Sequence, residues 1–264
     1  MAEKEERMSA DGDYIKFLGT AGARFVMIRQ LRASGGIWVH SGGRNVLIDP
    51  GPGSLVRCAS SRPKLNPAKL DGIILTHRHL DHSGDINVMI EAMTEGGFQK
   101  RGAVFCPPDA ISGDPVILEY LRGAPERIEM LAPLRSYSAS GFNFSTSMRH
   151  RHPAETYGLK FFAGGRNVAF LTDTGYFKGL EAFYSGVDLL IIAVVLAEPR
   201  SGIEHFSLAD VESILRECRP GRAILTHFGM SMLKKDPRRC ADELSERCGM
   251  TVLAAQDGMT LRFP

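Results

Sequence analysis

No Cys-x-x-Cys pair occurs in this 264-residue chain, and its five cysteines (Cys58, Cys106, Cys218, Cys240 and Cys248) are scattered. That spacing argues against a disulfide framework and a thiolate metal site, and it fits a reducing cytosol. Long hydrophobic runs are missing too. The longest, Val187 to Ala197, falls short of the roughly 20 residues that span a bilayer. Charge of one sign is scarce: the formal net charge is +2, with 23% charged residues. This gives neither the signature of disorder nor the basic footprint of a dedicated nucleic-acid binder. A local basic patch stays open, so RNA is a partner that is allowed but not favoured. Met1 to Asp13 is polar and charged with no apolar centre, so no secretory signal is visible. The expectation is a cytoplasmic protein with no membrane association. With 44% hydrophobic residues the chain can bury a large core. Residues 14–264 are therefore read as one domain behind a flexible lead-in, 1–13.

What the chain does contain is a dense group of metal-ligand side chains. The apolar run Ile73-Ile74-Leu75 reads as a buried strand, and it ends in Thr76-His77-Arg78-His79-Leu80-Asp81-His82. Imidazole and carboxylate are the ligand types that zinc and similar divalent metals prefer. His77 and His79, two apart, share a face in an extended segment. Ile86, Met89, Ile90 and Met93 then recur at helical spacing. The ligand types thus sit at a strand-to-helix junction. One histidine there would read as polar surface; four such side chains within six positions do not.

Other elements follow from pattern. Tyr14 to Leu18 alternates as a first strand, and Ile37–His40 and Asn45–Ile48 flank Ser41-Gly42-Gly43-Arg44 as a hairpin. The segment 22–36 between them carries Arg24, Arg29 and Arg32, which read as solvated unless they face a substrate. Ala103–Cys106 is a strand stopped by Pro107-Pro108, and 109–123 reads as helical with interruptions at Gly113 and Pro115. Thr156–Phe162 and Asn167–Leu171 form a second hairpin around Gly164-Gly165, and Val187–Leu196 is a strand covered on both faces. Ser207-Leu208-Ala209-Asp210 is a capping-type helix start, and Asp236-Pro237 opens another helix. Met250–Ala255 and Met259–Phe263 read as a closing hairpin over Asp257-Gly258. Two strings occur twice: Ile-Leu-Thr-His at 74–77 and 224–227, and Gly-Gly-Arg-Asn-Val at 42–46 and 164–168. Two similar β-rich halves facing one site would leave such echoes.

Further candidates stand at strand ends. His227 ends the second Ile-Leu-Thr-His, and Asp173 ends the strand Val168–Leu171 as a ligand, a turn residue or a helix cap. His150 and His152 precede the strand that begins near Gly158 and would share a face if extended. His205 sits just before a helix start, where backbone N–H groups favour an anion. His40, on a strand away from the rest, reads as structural.

The run His77-Arg78-His79-Leu80-Asp81-His82 resembles the His-x-His-x-Asp-His hallmark of the metallo-β-lactamase superfamily. That resemblance implies an αββα sandwich, α/β (α+β) in class, with two mixed sheets flanked by helices. It also implies two divalent ions, zinc by preference, with manganese or iron open. The ligands would be His77, His79 and His152 on one ion and Asp81, His82 and His227 on the other, with Asp173 bridging. The spacing from His152 to Gly158 matches the RNA-processing and phosphodiesterase branches, although Leu159 stands where an aromatic is usual. His205, followed by Ser207, a helix and Leu-Thr-His, is similar to the histidine that faces the scissile phosphate in the tRNase Z and cyclic phosphodiesterase branches. The resemblance therefore implies a binuclear phosphodiesterase. A metal-bridging hydroxide would be its nucleophile, oriented by Asp81, and His205 its acid or charge stabiliser. A thioester or lactone hydrolase and a tRNA 3′-endonuclease are the alternatives, and a non-catalytic metal-binding protein is the least favoured. No basic arm is evident between Gly97 and His150, which favours a small phosphodiester or related small molecule. A homodimer is left open.

Overall fold

The computed structural model describes residues 12–22 and 24–263. Most of the expected lead-in lies outside the described residues. Asp13, its last residue, is tied down: its carboxylate accepts hydrogen bonds from Ser41 Oγ, Gly42 N and Gly164 N.

The first half of the chain supplies β1 (Tyr14–Phe17), β2 (Ile37–Ser41), β3 (Arg44–Ile48), β4 (Gly72–Ile74), β5 (Ala103–Cys106) and β6 (Arg127–Met130). The second half supplies β7 (Ser136–Ala139), β8 (Phe142–Arg149), β9 (Tyr157–Ala163), β10 (Arg166–Leu171), β11 (Leu189–Ala193), β12 (Arg222–Thr226) and β13 (Thr251–Ala254). A last strand, β14 (Thr260–Arg262), returns to the first sheet. The sheets have seven strands each, ordered β14-β1-β2-β3-β4-β5-β6 and β13-β12-β11-β10-β9-β8-β7. Both are mixed. Each has an antiparallel part that turns parallel, at β3–β4 in one and at β10–β11 in the other.

Inward-facing side chains of both sheets, among them Phe17, Val39, Phe105, Phe144, Phe161 and Ile191, form one buried cluster between them. The outer faces are covered by helices. On the first sheet α1 (Ile86–Met93) packs Met89, Ile90 and Met93 against Leu47, Ile73 and Val104. On the second, α2 (Leu208–Cys218) and α3 (Pro237–Cys248) bury Val211, Leu215 and Leu244 against Leu190, Ile192 and Leu225. Leu189 and Ile191 face inward and Leu190 and Ile192 outward, which is why β11 reads as continuous apolar sequence. The expected αββα sandwich is observed.

The Gly-Gly-Arg-Asn-Val echo marks corresponding hairpins. Gly42 and Gly43 have φ of 56° and 74°, and Gly164 and Gly165 have 57° and 71°, the positive pair a tight primed turn requires. Asn45 N donates to Asp71 Oδ2 and Asn167 N to Asp188 Oδ2, both at 2.8 Å. Arg44 and Arg166 pair with the same two aspartates. The other echo is displaced: β4 adjoins β3, whereas β12 lies one strand further from β10.

Two expectations fail. Residues 109–123 form no α-helix but two single 3₁₀ turns, Pro108–Ala110 and Glu119–Leu121. Pro115 and the positive φ of Gly113 interrupt any longer helix. The closing strands are not a hairpin: β13 pairs with β12 and β14 with β1, so the turn carries the chain from one sheet to the other. The Asp257 carboxylate is committed to Thr20 Oγ1 and Ala33 N, which anchors that crossing.

Asp13 clasps the two echoed turns, so Asp13→Asn is expected to destabilise the fold by about 1 kcal/mol at pH 7. Burial opposes its charge, but the bonds from Ser41, Gly42 and Gly164 hold its carboxyl below the ordinary 3.8. The folded value is lowered, so its stabilisation is present above 3.8 and is lost as the pH falls through the folded value. Urea unfolding of both proteins should show a difference at neutral pH that shrinks in acid. A constant difference would remove the carboxylate from the account.

Candidate metal centre

The C-terminal ends of β4, β10 and β12 lead into three of the expected site residues, His77, Asp173 and His227. The chain leaving β4 bends at His79 into a single helical turn, Leu80–Ser83, which presents Asp81 and His82. His152 follows β8, and His205 precedes the capped start of α2. Ser207 accepts from Asp210 N there, and Asp210 Oδ2 accepts from Ser207 N.

These eight side chains converge. The donor atoms of His77, His79 and His152 lie within 4.8 Å of one another, as do those of Asp81, His82 and His227. Asp173 stands between the two groups. Its Oδ2 is 3.7 Å from His77 Nε2, 3.5 Å from His82 Nε2 and 3.5 Å from His205 Nδ1, and its Oδ1 is 3.3 Å from His227 Nε2. Asp81 Oδ2 is 3.5 Å from His227 Nε2. Such separations are too long for good hydrogen bonds. They match the roughly 3.4 Å edge of a tetrahedron of ligands about 2.1 Å from one ion.

His77 Nε2, Asp81 Oδ2, His82 Nε2, Asp173 Oδ1, His205 Nδ1 and His227 Nε2 are buried without a hydrogen-bond partner. Lone pairs gathered this way, with no donor to meet them, suit a cation. The residues present therefore fit divalent metal.

The rings are oriented from behind. His82 Nδ1–H donates to Asp49 Oδ2 at 2.9 Å, which leaves Nε2 facing the centre. Asp49 also accepts from Thr76 N and Thr76 Oγ1, each at 2.7 Å. Thr76 Oγ1 lies 3.2 Å from His77 Nδ1, and His152 Nδ1–H donates to Glu204 O at 3.2 Å. Burial pushes His77, His79, His152 and His205 below the ordinary imidazole value, so they present neutral rings. Burial opposes charge on His82 as well, but Asp81 and Asp49 outweigh it and favour a proton there. A cation at Nε2 would take that proton's place. Burial likewise opposes the charge on Asp173, and His227 and His205 hold it well below the ordinary carboxylate range.

His150 is not part of the convergence. The chain bends at His152, and the two rings meet different partners. His150 Nδ1 donates to Asp173 O at 3.1 Å, and Nε2 accepts from Tyr184 OH at 2.8 Å. His40 is structural, stacked on Tyr14 and bonded to Asn45. Arg32 reaches Thr20 Oγ1 and lies over the Phe228 ring, while Arg29 lies over Phe25. The cysteines stay clear of the centre. Asp49 belongs to no metal-ligand motif of the sequence. The first Gly-Gly-Arg-Asn-Val hairpin leads to it, as the second leads to Asp173, but that echo does not say what either aspartate binds. Backbone approach matters here too: a Cβ on Gly22 would lie 2.3 Å from His227 O, so only glycine fits beside that histidine.

The model of the beta-lactamase superfamily domain matches residues 44–228. The probable metallo-hydrolase YhfI of Bacillus subtilis is 25% identical over 202 residues, covering 74% of this chain and 80% of that protein. Its crystal structure, described as a metallo-beta-lactamase fold protein, superposes with a TM-score of 0.75 at 21% identity, covering 95% and 99% of the two chains. A diphosphatase from the PhnP family superposes with a TM-score of 0.68 at 19% identity, covering 95% and 97%. The short form of human tRNase Z gives 0.69 at 18% identity, covering 95% and 99%. Among the described residues no helix is long and apolar enough to cross a membrane.

Asp49→Asn removes the acceptor that orients His82 and is expected to weaken metal binding about 10–100-fold. Competition against a chromophoric chelator measures this. An unchanged affinity would mean that His82 does not need Asp49.

Proposed function

The chain belongs to the beta-lactamase superfamily, and from that premise we propose that it is a binuclear metal-dependent phosphodiesterase. The observation that carries the reading is His205. Its Nδ1 is 3.5 Å from Asp173 Oδ2, it stands two residues before a capped helix, and it is an eighth site residue beyond the seven that would bind metal.

In this proposal His77, His79 and His152 would hold one ion and Asp81, His82 and His227 the other, with Asp173 available to both groups. Bound divalent metal, with zinc best suited to this donor set, would polarise a phosphoryl oxygen and make water reactive near neutral pH. Asp81 orients the attacking water through its carboxylate. His205 donates a proton to the leaving oxygen or steadies the phosphoryl charge. Helix α2 supports that second role, because its N-terminus favours an anion. The geometry also admits His205 as a ligand beside His152 and Asp173, and metal content separates the two roles.

The substrate proposed is a small phosphodiester. Residues 97–150 are taken up by β5 to β8 and their turns, which leaves no projecting arm to grip a tRNA. Both a diphosphatase and a tRNase Z share the fold, so the fold alone does not choose between them.

Metal-loaded protein is expected to hydrolyse bis(p-nitrophenyl) phosphate, and His205→Ala to lose about 10²–10⁴-fold in kcat while its metal content, read by elemental analysis, is unchanged. Loss of metal together with activity would make His205 a ligand. Turnover of thioester or lactone substrates in place of the phosphodiester would replace the reading with that second class.

A further inference from the structure

On the outer side of the first sheet, Lys16 of β1 is 4% exposed. Its ammonium donates to Arg62 O at 3.3 Å, Gly258 O at 3.0 Å and Thr260 Oγ1 at 2.9 Å, all neutral acceptors. Arg57 Nε donates to Leu18 O, and Arg62 Nη1 to Ser60 O and Ser61 O, again neutral. Among the described residues no carboxylate pairs with the lysine. Burial comes first in pushing its pKa down, and the charges near enough to act on it, Arg262 and Arg57, push the same way. A buried ammonium among like charges is costly unless a counter-charge meets it.

Beside these groups opens a cavity of about 200 Å³, lined by Lys16, Arg57, Ser60, Ser61, Arg62 and Gly258 with no acidic side chain. Its size suits a small ion, since a water takes about 30 Å³ of liquid volume. The bonds described above leave the terminal nitrogens of Arg57 and Nη2 of Arg62 uncommitted, and guanidinium groups match tetrahedral oxyanions with paired donors. The carbonyl cage around Lys16 fixes a positive charge at the cavity wall without consuming it.

We propose that this cavity is a binding site for a phosphate-type oxyanion, separate from the histidine cluster. The anion lies against Arg57 and Arg62 and neutralises the charge of Lys16 behind them. The same chemistry is offered by free phosphate and by a phosphate carried on a nucleotide.

The test is isothermal titration of the intact protein with inorganic phosphate, against sodium chloride of equal ionic strength. Saturable binding is expected with phosphate and not with chloride. It should weaken at least tenfold in Arg57→Gln and in Arg62→Gln, and persist in His79→Ala, which alters the histidine cluster. Arg62 is exposed, so its variant keeps the test open if Arg57→Gln fails to fold. Titration with AMP separates the sources: binding of both ligands assigns a carried phosphate group, and binding of inorganic phosphate alone assigns the free ion. Equal affinity in Arg62→Gln, loss of binding in His79→Ala, or an equal response to chloride would overturn the proposal.

Discussion

Six buried nitrogen and oxygen atoms point into one small volume with no donor to satisfy them, and the rest of the molecule is arranged to hold them there. Left bare, each such atom costs about 1–3 kcal/mol, and six together rival the roughly 5–15 kcal/mol of net stability of a whole domain. A cation turns that penalty into binding energy. The strand ends that carry these atoms would then be coupled to a cation in a way that the interior between the sheets is not. The packed centre, which includes Phe17 and Ile191, contains no such unsatisfied group among the described residues and is held by apolar burial. Stability and chemistry are thus separated along the strands: the middle supplies one, and the C-terminal ends supply the other.

The two halves are also joined at the turn ends of the hairpins, away from the histidine cluster. Asp13 accepts from Gly42 N of one echoed turn and Gly164 N of the other, so a single carboxylate sets the two sheets in register at that edge. Corresponding aspartates, Asp71 and Asp188, brace the strands that follow. The next aspartates in each half have diverged in use. Asp173 faces the donor atoms directly, while Asp49 sits behind His82 and Thr76 as an acceptor. At this matched position one half therefore contributes a carboxylate to the centre, and the other contributes the support of a histidine.

How much of this the sequence discloses depends on how far each interaction reaches. His77 to His82 is local: a buried strand, a turn and three imidazoles lie within ten residues, so spacing alone exposes it. Strand ends place Asp173 and His227, because each follows an apolar run. The capping box at Ser207 and Asp210 is equally local and is found where its pattern lies. Asp49 escapes because it acts through His82, 33 residues away, and nothing in Asp-Pro-Gly-Pro-Gly distinguishes a carboxylate acceptor from a turn residue. The segment after Pro108 escapes because apolar spacing there suits a helix, while two backbone breakers decide otherwise. Asp257-Gly258 is a sound turn signal, but turn chemistry does not say which sheet the next strand joins. That choice is made by Thr20 and Ala33, more than 200 residues earlier.

His150 and His152 show the same limit most sharply, because residue type treats them as equals and only the spacing of His152 to Gly158 sets them apart. What separates them is the partners of their nitrogens. Both ring nitrogens of His150 are used, by Asp173 O and by Tyr184 OH, and burial pushes its pKa to about 4. No lone pair remains for a metal. His152 spends only Nδ1, on Glu204 O, and turns Nε2 to within 3.0 Å of His79 Nδ1. Two bare imidazole nitrogens at that distance repel unless a proton or a cation lies between them. The ordering of His150 is still not idle: its bond to the main chain of Asp173 fixes the loop whose side chain stands between the two ligand groups. A Cβ on Gly158 would strike Tyr184 OH at 1.7 Å, so this strand approaches the tyrosine only as glycine. The glycine whose spacing favours His152 over His150 thus acts physically through His150, by leaving room for the tyrosine that occupies it.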